Sequence, residues 1–319
     1  MNIPPFTISE NILNLVGEIS ETIGSITALM SGDAPHPMLR KSNRIKTIQS
    51  SLAIENNSLT IEQVTAIVEG KRVLGAPNEI TEVQNAIEAY QLMQEINPLN
   101  EKDLLRAHKL MMQNLIRENG RYRSTTVGVF GQQGCVHMAP PPLMVPKLMS
   151  DLFAWIKTTK VHPLVSSCVF HYEFEFIHPF CDGNGRMGRF WQSALLARWN
   201  PVFMWLPVET IVKAHQQQYY DVIALCDSKG DSTEFVEFML NCIKQSIGDI
   251  ESPKASPKAS PKDILLALIR QNNKVTVSQI AAAWGISKRN AQNRINQFVD
   301  DGIIVHIGAA RGGHWEITE

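Results

Sequence analysis

The stretch His178-Pro-Phe-Cys-Asp-Gly-Asn-Gly-Arg-Met-Gly-Arg189 decides how the chain folds, because it reads as a glycine-rich loop that opens a helix. Gly183, Asn184 and Gly185 can turn their backbone so that successive N–H groups point into one concavity, an anion nest. Met187, Phe190, Trp191, Leu195 and Leu196 recur at helical spacing, so a helix starts at about Gly185 and its N-terminus faces the same concavity. Arg186 and Arg189 stand three apart on one helical face, from which both can reach a polyphosphate. Asp182, at the lip, is a hard oxygen ligand suited to a Mg²⁺ that keeps most of its waters. His178 has an ordinary pKa near neutrality and can take a proton from an incoming hydroxyl. Taken singly, a histidine before proline is a helix end, Gly-Asn-Gly a turn, and the arginine pair a solvated face. At this spacing a base, a metal ligand, a phosphate cradle and two cations describe phosphoryl or nucleotidyl transfer.

The segment fits H-x-F-x-[DE]-G-N-G-R-x-x-R at every specified position, and so resembles the motif of the Fic family. The likeness extends over roughly residues 80–245. Gly120-Arg-Tyr-Arg123, a short hairpin and Pro140–Pro142 resemble the family's flap region, and His171–Ile177 the helix leading into the motif. Tyr219-Tyr220 with Gly230-Asp231 resembles the segment that closes the nucleotide site. The resemblance implies a protein adenylyltransferase: ATP is the AMP donor, Mg²⁺ the metal, and a Ser, Thr or Tyr hydroxyl of a protein target the acceptor. It makes His178 the base, Phe180 a core anchor, and Asp182 the Mg²⁺ ligand. Gly183, Asn184 and Gly185 become the anion hole, Arg186 and Arg189 the phosphate ligands, and Tyr220 and Asp227 the adenosine contacts. It also implies a target-docking flap of Gly131, Gln132, Gln133, Gly134, Cys135, Val136, His137 and Met138, which aligns an extended target segment by strand addition.

Ser51-Leu-Ala-Ile-Glu55-Asn56 resembles the family's inhibitory signature, [ST]-x-x-x-E-[GN]. The implied inhibitory residues are Glu55 and Ser51. A carboxylate beside Arg189 would pair with it and remove the cation meant for the phosphate tail. The same arrangement is compatible with removal of AMP. The motif would also serve transfer of UMP or phosphocholine, although the intact Gly183-Asn184-Gly185 favours AMP over the Doc-like kinase variant.

Outward from the motif the chain is mostly helical. Ile12, Leu15, Val16, Ile19, Ile23 and Ile26 share one helical face, and a second pattern covers about 38–55. Thr60 and Gln63 form a capping box for a short helix that Gly70 ends. Further helices are expected near 82–94 and 101–116, the latter capped by Asn100. Alternation around 126–138 predicts a β-hairpin, and helical periodicity from about Pro146 to Ile247 is broken once, at 178–184.

Residues 250–262, with their Ser-Pro-Lys-Ala repeat, predict a solvated linker. Beyond it the pattern is helix, helix, helix and two strands, which resembles a winged helix-turn-helix. Ser287 caps the second helix of the pair, and Arg311-Gly-Gly313 forms the hairpin tip. Lys288, Arg289, Asn290, Gln292, Asn293 and Arg294 give a polar face suited to phosphates and base edges. From Lys262 onward there are seven Lys and Arg against five Asp and Glu, so this part is only weakly basic. It suits a DNA or a protein partner, and a DNA-binding regulator with a nucleotide-sensing core is the second functional class.

The fold class expected is therefore mostly α. It comprises a helical N-terminal region with the inhibitory helix (1–79), a helical core with a β-hairpin flap (80–249), the linker (250–262) and a small winged-helix domain (263–319). Composition agrees: of 319 residues 44% are hydrophobic and 19% charged, enough for two cores, and a net charge of −1 excludes bulk attraction to polyanions. Five scattered cysteines with no C-x-x-C pair argue for free thiols in a reducing compartment. The cytoplasm is the expected location, with no membrane association. The resemblance further implies pairing into a homodimer and self-modification.

Overall fold

The structure, a computed structural model, describes residues 3–29, 37–131, 134–251, 261–284, 287–308 and 313–318. It divides into two units, Met1–Glu251 and Ser252–Glu319. The first unit begins with α1 (Glu10–Leu29), α2 (Pro37–Ile54), α3 (Ile61–Val68), α4 (Pro77–Leu92) and α5 (Glu101–Met111). A hairpin follows, β1 (Gly128–Gly131) and β2 (Gly134–Met138). Then come α6 (Val145–Thr158), α7 (Pro163–Ile177), α8 (Asn184–Trp199), α9 (Val208–Ala214), α10 (Gln216–Lys229) and α11 (Thr233–Glu251). The second unit is α12 (Pro261–Gln271), α13 (Val277–Trp284), α14 (Lys288–Asp300), β3 (Ile304–Ile307) and β4 (His314–Ile317). The fold is mostly α, as the sequence implies. Gln132 and Gln133 of the flap, most of the linker (252–260), Gly285, and Arg311 and Gly312 of the wing tip lie outside the described residues.

Apolar spacing sets the packing. Ile12, Leu15, Ile19, Ile23 and Ile26 make one buried stripe on α1, which lies along α11. At the centre α7 and α8 pack on each other and both are buried on most sides, α8 with Asn184, Arg186, Arg189 and Gln192 among its buried residues. Phe153 of α6 sets its ring edgewise against Phe170 (5.4 Å) and Trp191 (6.2 Å), and Trp191 donates its indole N–H to the Pro98 carbonyl at 3.1 Å.

Caps explain most boundaries. Thr60 Oγ1 accepts from Gln63 N–H while Gln63 Oε1 accepts from Thr60 N–H, closing the capping box of α3, and Gly70 ends that stretch at φ +72°. The two helices after it differ from expectation. Helix α4 starts at Pro77 rather than near 82, because proline at the first position loses only an N–H that had no partner there. Helix α5 stops at Met111 rather than near 116. The Asn85 amide donates to the carbonyls of Met111 (3.3 Å) and Gln113 (2.7 Å), and Asn114 turns left-handed at φ +61°. The region after 145 has more breaks than one. His162 and Pro163 start α7, Asn200 and Pro201 open a short 3-10 turn (Pro201–Met204), and Gly230 ends α10 at φ +64°.

In the second unit β3 and β4 pair antiparallel, Ile304 opposite Ile317, and Leu265, Ile269, Ile280, Ile295 and Ile304 form its own core. A capping box of Thr276 and Gln279 starts α13, and Ser287 caps α14.

Phe170→Ala should cost about 3–5 kcal/mol, since a buried aromatic ring leaves a cavity between α6 and α7. Leu74→Ala, at a side chain 92% exposed, should stay within about 0.5 kcal/mol. Urea unfolding followed by tryptophan fluorescence checks both, and equal effects would refute this account of the core.

Candidate active site

The turn from α7 to α8 holds the residues in which the sequence places the chemistry, and it is braced from several sides. His178 ends α7 in the left-handed region (φ 49°, ψ 61°), a conformation that costs a non-glycine residue roughly 1–2 kcal/mol. Its N–H donates to Phe174 O at 2.9 Å, and its carbonyl accepts from Arg123 Nε at 2.7 Å. Its Nδ1 lies 3.3 Å from the Glu175 carbonyl, which can only accept, so Nδ1 carries a proton and, in the neutral ring, Nε2 is the acceptor. That is the tautomer a general base needs.

Two residues on, Phe180 is fully buried. The Asn184 side chain bonds it both ways, accepting from its N–H and donating to its carbonyl, each at 2.9 Å. Asn184 therefore locks the loop with its amide and offers the cavity only its backbone. His108 stacks flat on the Phe180 ring (3.6 Å, 3°). Its Nδ1 accepts from Gly120 N–H, so Nε2–H donates to the Asp182 carbonyl at 3.0 Å. Gly183 turns at φ +83°, and a Cβ there would lie 2.6 Å from Met112 Sδ, so only glycine fits.

Helix α8 opens with unpaired donors. Met187 N–H is the first to find an intrahelical carbonyl (Gly183 O, 3.0 Å), which leaves Asn184, Gly185 and Arg186 N–H at the positive end of the dipole. Arg186 is held between Glu82 of α4 (3.2 Å) and Asp182 (3.1 Å). Asp182 is more than half exposed, and its Oδ1 takes both Arg186 and Gly183 N–H. Among the described residues no group of three or more His, Cys, Asp and Glu side chains converges as a metal cage. One exposed carboxylate at the lip of an anion nest nonetheless fits a Mg²⁺ bound chiefly by phosphate oxygens and water.

Arg189, one turn further on, is 2% exposed and already paired. Its Nη2 donates to Glu55 Oε1 at 2.7 Å and to Ser51 O at 3.0 Å, while Nε donates to Ser51 Oγ at 3.2 Å. Burial, the largest single influence, works against its charge, but Glu55 together with Tyr219 and Glu175 raises its pKa. The same carboxylate also presses on the start of α8. A Cβ on Gly185 would collide with Glu55 Oε1, so glycine is what admits an acid here. Glu55 thus sits where the nest and Arg189 would together hold a phosphate.

The backbone around Glu55 explains its aim. Asn57 N–H bonds Leu52 O, Asn56 N–H bonds Ala53 O, and Asn56 is left-handed at φ +68°: a Schellman motif with asparagine in the glycine position. This accounts for the [GN] after the glutamate. The last carbonyls of α2 are capped from α9 and α10. Lys213 Nζ donates to Ala53 O (2.8 Å), Gln216 Nε2 to Ile54 O (2.9 Å) and Tyr220 OH to Ile54 O (3.3 Å). Asn57 in turn donates to Glu82 Oε2 at 2.8 Å, so one carboxylate ties the end of α2 to Arg186.

The comparisons with known proteins agree with this geometry. The Fic/DOC family model matches residues 98–196, and the MarR family model residues 259–313. The crystal structure of a Fic family protein from Desulfovibrio desulfuricans G20 is 46% identical, over 99% of this chain and 98% of that one, with a TM-score of 0.78. The chain belongs to the Fic family. A Fic domain signaling protein from Bacteroides thetaiotaomicron VPI-5482 shares the fold at 19% identity (TM-score 0.60, covering 88% of this chain and 98% of that one). Curated relatives named protein adenylyltransferase Fic include those of Culex quinquefasciatus (29% identical, 71% of this chain and 45% of theirs) and Nematostella vectensis (28%, 73% and 55%). The chain spans about half the length of these curated relatives.

Of the remaining Fic positions, Tyr220 is 40% exposed beside the end of α2. Its neighbour Tyr219 is buried and bonded to His171 (3.2 Å). Asp227 accepts from Tyr172 OH at 2.8 Å. The flap strands pair antiparallel, with a register shift between Val129 and Phe130, and β2 runs beside α10. Sequence reasoning missed Glu82, His108, Asn57, Lys213 and Gln216. It also missed Glu209, a buried carboxyl near Arg189 that accepts from Tyr90 OH and Ser193 Oγ, each at 3.2 Å, and that burial pushes up to about 7. No helix among the described residues is long and apolar enough to cross a membrane.

Burial, with Arg186 nearby, holds the His108 imidazole down to about 4, below its ordinary 6.5. The unfolded chain therefore takes a proton that the folded site refuses. The stability from neutral His108 is complete above pH 6.5 and is lost as pH falls towards 4. Glu209 titrates with the opposite sign, so the informative quantity is the difference between proteins. The advantage of wild type over His108→Gln should shrink by about 2–3 kcal/mol between pH 7.5 and 4.5, read from urea unfolding at each pH. A constant difference would mean that the imidazole is not held neutral.

Proposed function

We propose that the chain transfers AMP from ATP to a Ser, Thr or Tyr hydroxyl of a protein and is restrained by its own Glu55. The observation that carries this is the gathering of four groups on one turn and helix start: the His178 imidazole, the open N–H groups of α8, Arg186, and Arg189 engaged by an internal carboxylate. In this mechanism His178 takes the proton from the target hydroxyl. The oxygen attacks the α-phosphorus, the bond to the bridging oxygen breaks, and pyrophosphate leaves. The N–H groups of Asn184, Gly185 and Arg186 hold phosphate oxygens as charge shifts onto them, and Arg189 holds the tail. Asp182 would hold Mg²⁺, which when bound neutralises phosphate charge. The flap strands offer an edge to an extended target segment. Tyr220 and Asp227 serve as adenosine contacts. The names of the adenylyltransferase relatives support AMP as the group transferred.

The restraint is competition between anions. Glu55 occupies the cation and the helix terminus that the phosphate tail needs, so ATP binds with its phosphates displaced from in-line attack. Glu55→Gly should raise incorporation of labelled AMP about ten-fold or more, the equivalent of about 1.4 kcal/mol of competition. It should also destabilise the fold by about 1–3 kcal/mol, because Arg189 loses a charge-assisted bond. Adding His178→Ala to that variant should lower incorporation roughly 10²- to 10⁴-fold. Incorporation unchanged by Glu55→Gly in a folded protein would refute the restraint, and persistence after His178→Ala would refute the base.

A second activity is supported by the MarR match and by the face of α14, where Lys288, Arg289, Asn290, Gln292, Asn293 and Arg294 are all exposed. We infer that this helix contacts duplex DNA. Mobility shifts of the full chain should appear at 50 mM salt and fade by about 200 mM. Arg289→Ala should reduce the salt slope by about 1 if Arg289 contacts a phosphate. No shift at the lowest salt would remove DNA as the partner.

A further inference from the structure

Arg123 is 3% exposed, yet among the described residues no carboxylate pairs with it. Its donors go instead to four main-chain carbonyls. Nε donates to His178 O at 2.7 Å and Nη1 to Thr125 O at 2.9 Å. Nη2 donates to Pro140 O at 2.6 Å and to Ile177 O at 3.3 Å. Its own N–H donates to Pro179 O at 2.9 Å. These acceptors belong to two places. Thr125 and Pro140 are the two feet of the hairpin, just before β1 and just after β2. Ile177, His178 and Pro179 are the peptides that flank the left-handed turn at His178.

We propose that Arg123 is the positioning residue that fixes the flap and the His178 turn to each other, so that a segment docked on the flap meets the base at a set distance. This rests on the reading of His178 as base and of the hairpin as docking strand. The sequence chemistry requires arginine. Four donors in one rigid plane are used, whereas lysine offers three on a single mobile nitrogen and glutamine two. A buried guanidinium satisfied only by carbonyls is indifferent to the sequence of the loops it joins, since it binds their backbone. It can therefore hold the flap without constraining the flap's own sequence. The His178 conformation also depends on it. The peptide before His178 is fixed by Phe174 O and the peptide after it by Arg123 Nε, and without the second bond the residue can relax out of the left-handed region.

The test uses the full chain carrying Glu55→Gly as parent, with Arg123→Lys and Arg123→Gln introduced into it. Hydrogen exchange read by mass spectrometry should rise at least ten-fold in both 124–140 and 177–183, and stay within two-fold in α1 and α11. Calorimetric ATP affinity should stay within two-fold of the parent. Self-incorporation of labelled AMP at saturating ATP should fall at least ten-fold. Exchange that rises in only one of the two segments, in neither, or throughout the chain overturns the coupling. So does unchanged incorporation with both segments loosened. If the parent itself incorporates nothing, the adenylyl-transfer reading fails by that result, and the exchange pattern alone decides on Arg123. Arg123→Lys keeps the charge and the bulk, and it carries the exchange measurement if Arg123→Gln does not fold.

Discussion

Between two buried helices the chain must turn sharply, present a histidine, and begin the next helix with its first N–H groups unpaired. No part of the first unit does this alone. A left-handed histidine and three open amides are each unfavourable, and they persist because the surroundings fix the flanking peptides. Asn184 closes on Phe180, His108 stacks beneath it and holds the Asp182 carbonyl, and Arg123 takes the carbonyls on the far side. The aromatic core of α6, α7 and α8 supplies the stiffness behind that ring of contacts. What results is a small electropositive concavity at the start of α8, against which the chain sets the Glu55 carboxylate.

How much of this could be read from the amino-acid sequence follows from where each contact comes from. The motif residues were legible because the loop, the helix start and both arginines are neighbours in the chain, and their spacing is the geometry. The capping boxes and the stripe of α1 were legible for the same reason. Glu82, Lys213 and Gln216 were not, because each acts across a large separation and none follows a local pattern. Three of the bracing groups bond main-chain carbonyls, which any residue supplies, so their partners leave no trace in composition. The early end of α5 shows the same limit. Its helical propensity continues past Met111, but Asn85, more than twenty residues earlier, takes the carbonyls that further turns would use.

The two arginines expected to act alike are held differently. Arg186 lies between two carboxylates, one of which, Glu82, also grips Asn57 at the end of α2. Arg189 is nearly sealed from solvent, with Ser51 and Glu55 as partners. One helix end therefore bears on both cations, directly on Arg189 and through Glu82 on Arg186. Lys213, Gln216 and Tyr220 hold the carbonyls that precede Glu55, so the position of its carboxylate is set by α9 and α10 as well as by its own salt bridge.

This has an energetic consequence for any anion that enters. A guanidinium buried to 2% exposure needs a counter-charge, and here the chain provides it. A phosphate tail that displaces Glu55 forms a pair in place of a pair, so its net gain at Arg189 is the difference between two similar interactions rather than the full value of one. The displaced carboxylate is a third exposed already, so it recovers only part of its hydration on leaving. In the proposed mechanism this lowers affinity for the tail without loss of the cation, which Ser51 keeps oriented. An arginine left bare would reach the same orientation only by drawing some other group into the site, and Ser51, which bonds it through both hydroxyl and carbonyl, keeps that orientation fixed. The glutamate and the serine thus act in different ways on one side chain. Glu55 neutralises the Arg189 charge, and Ser51 fixes the direction of its guanidinium through two further bonds.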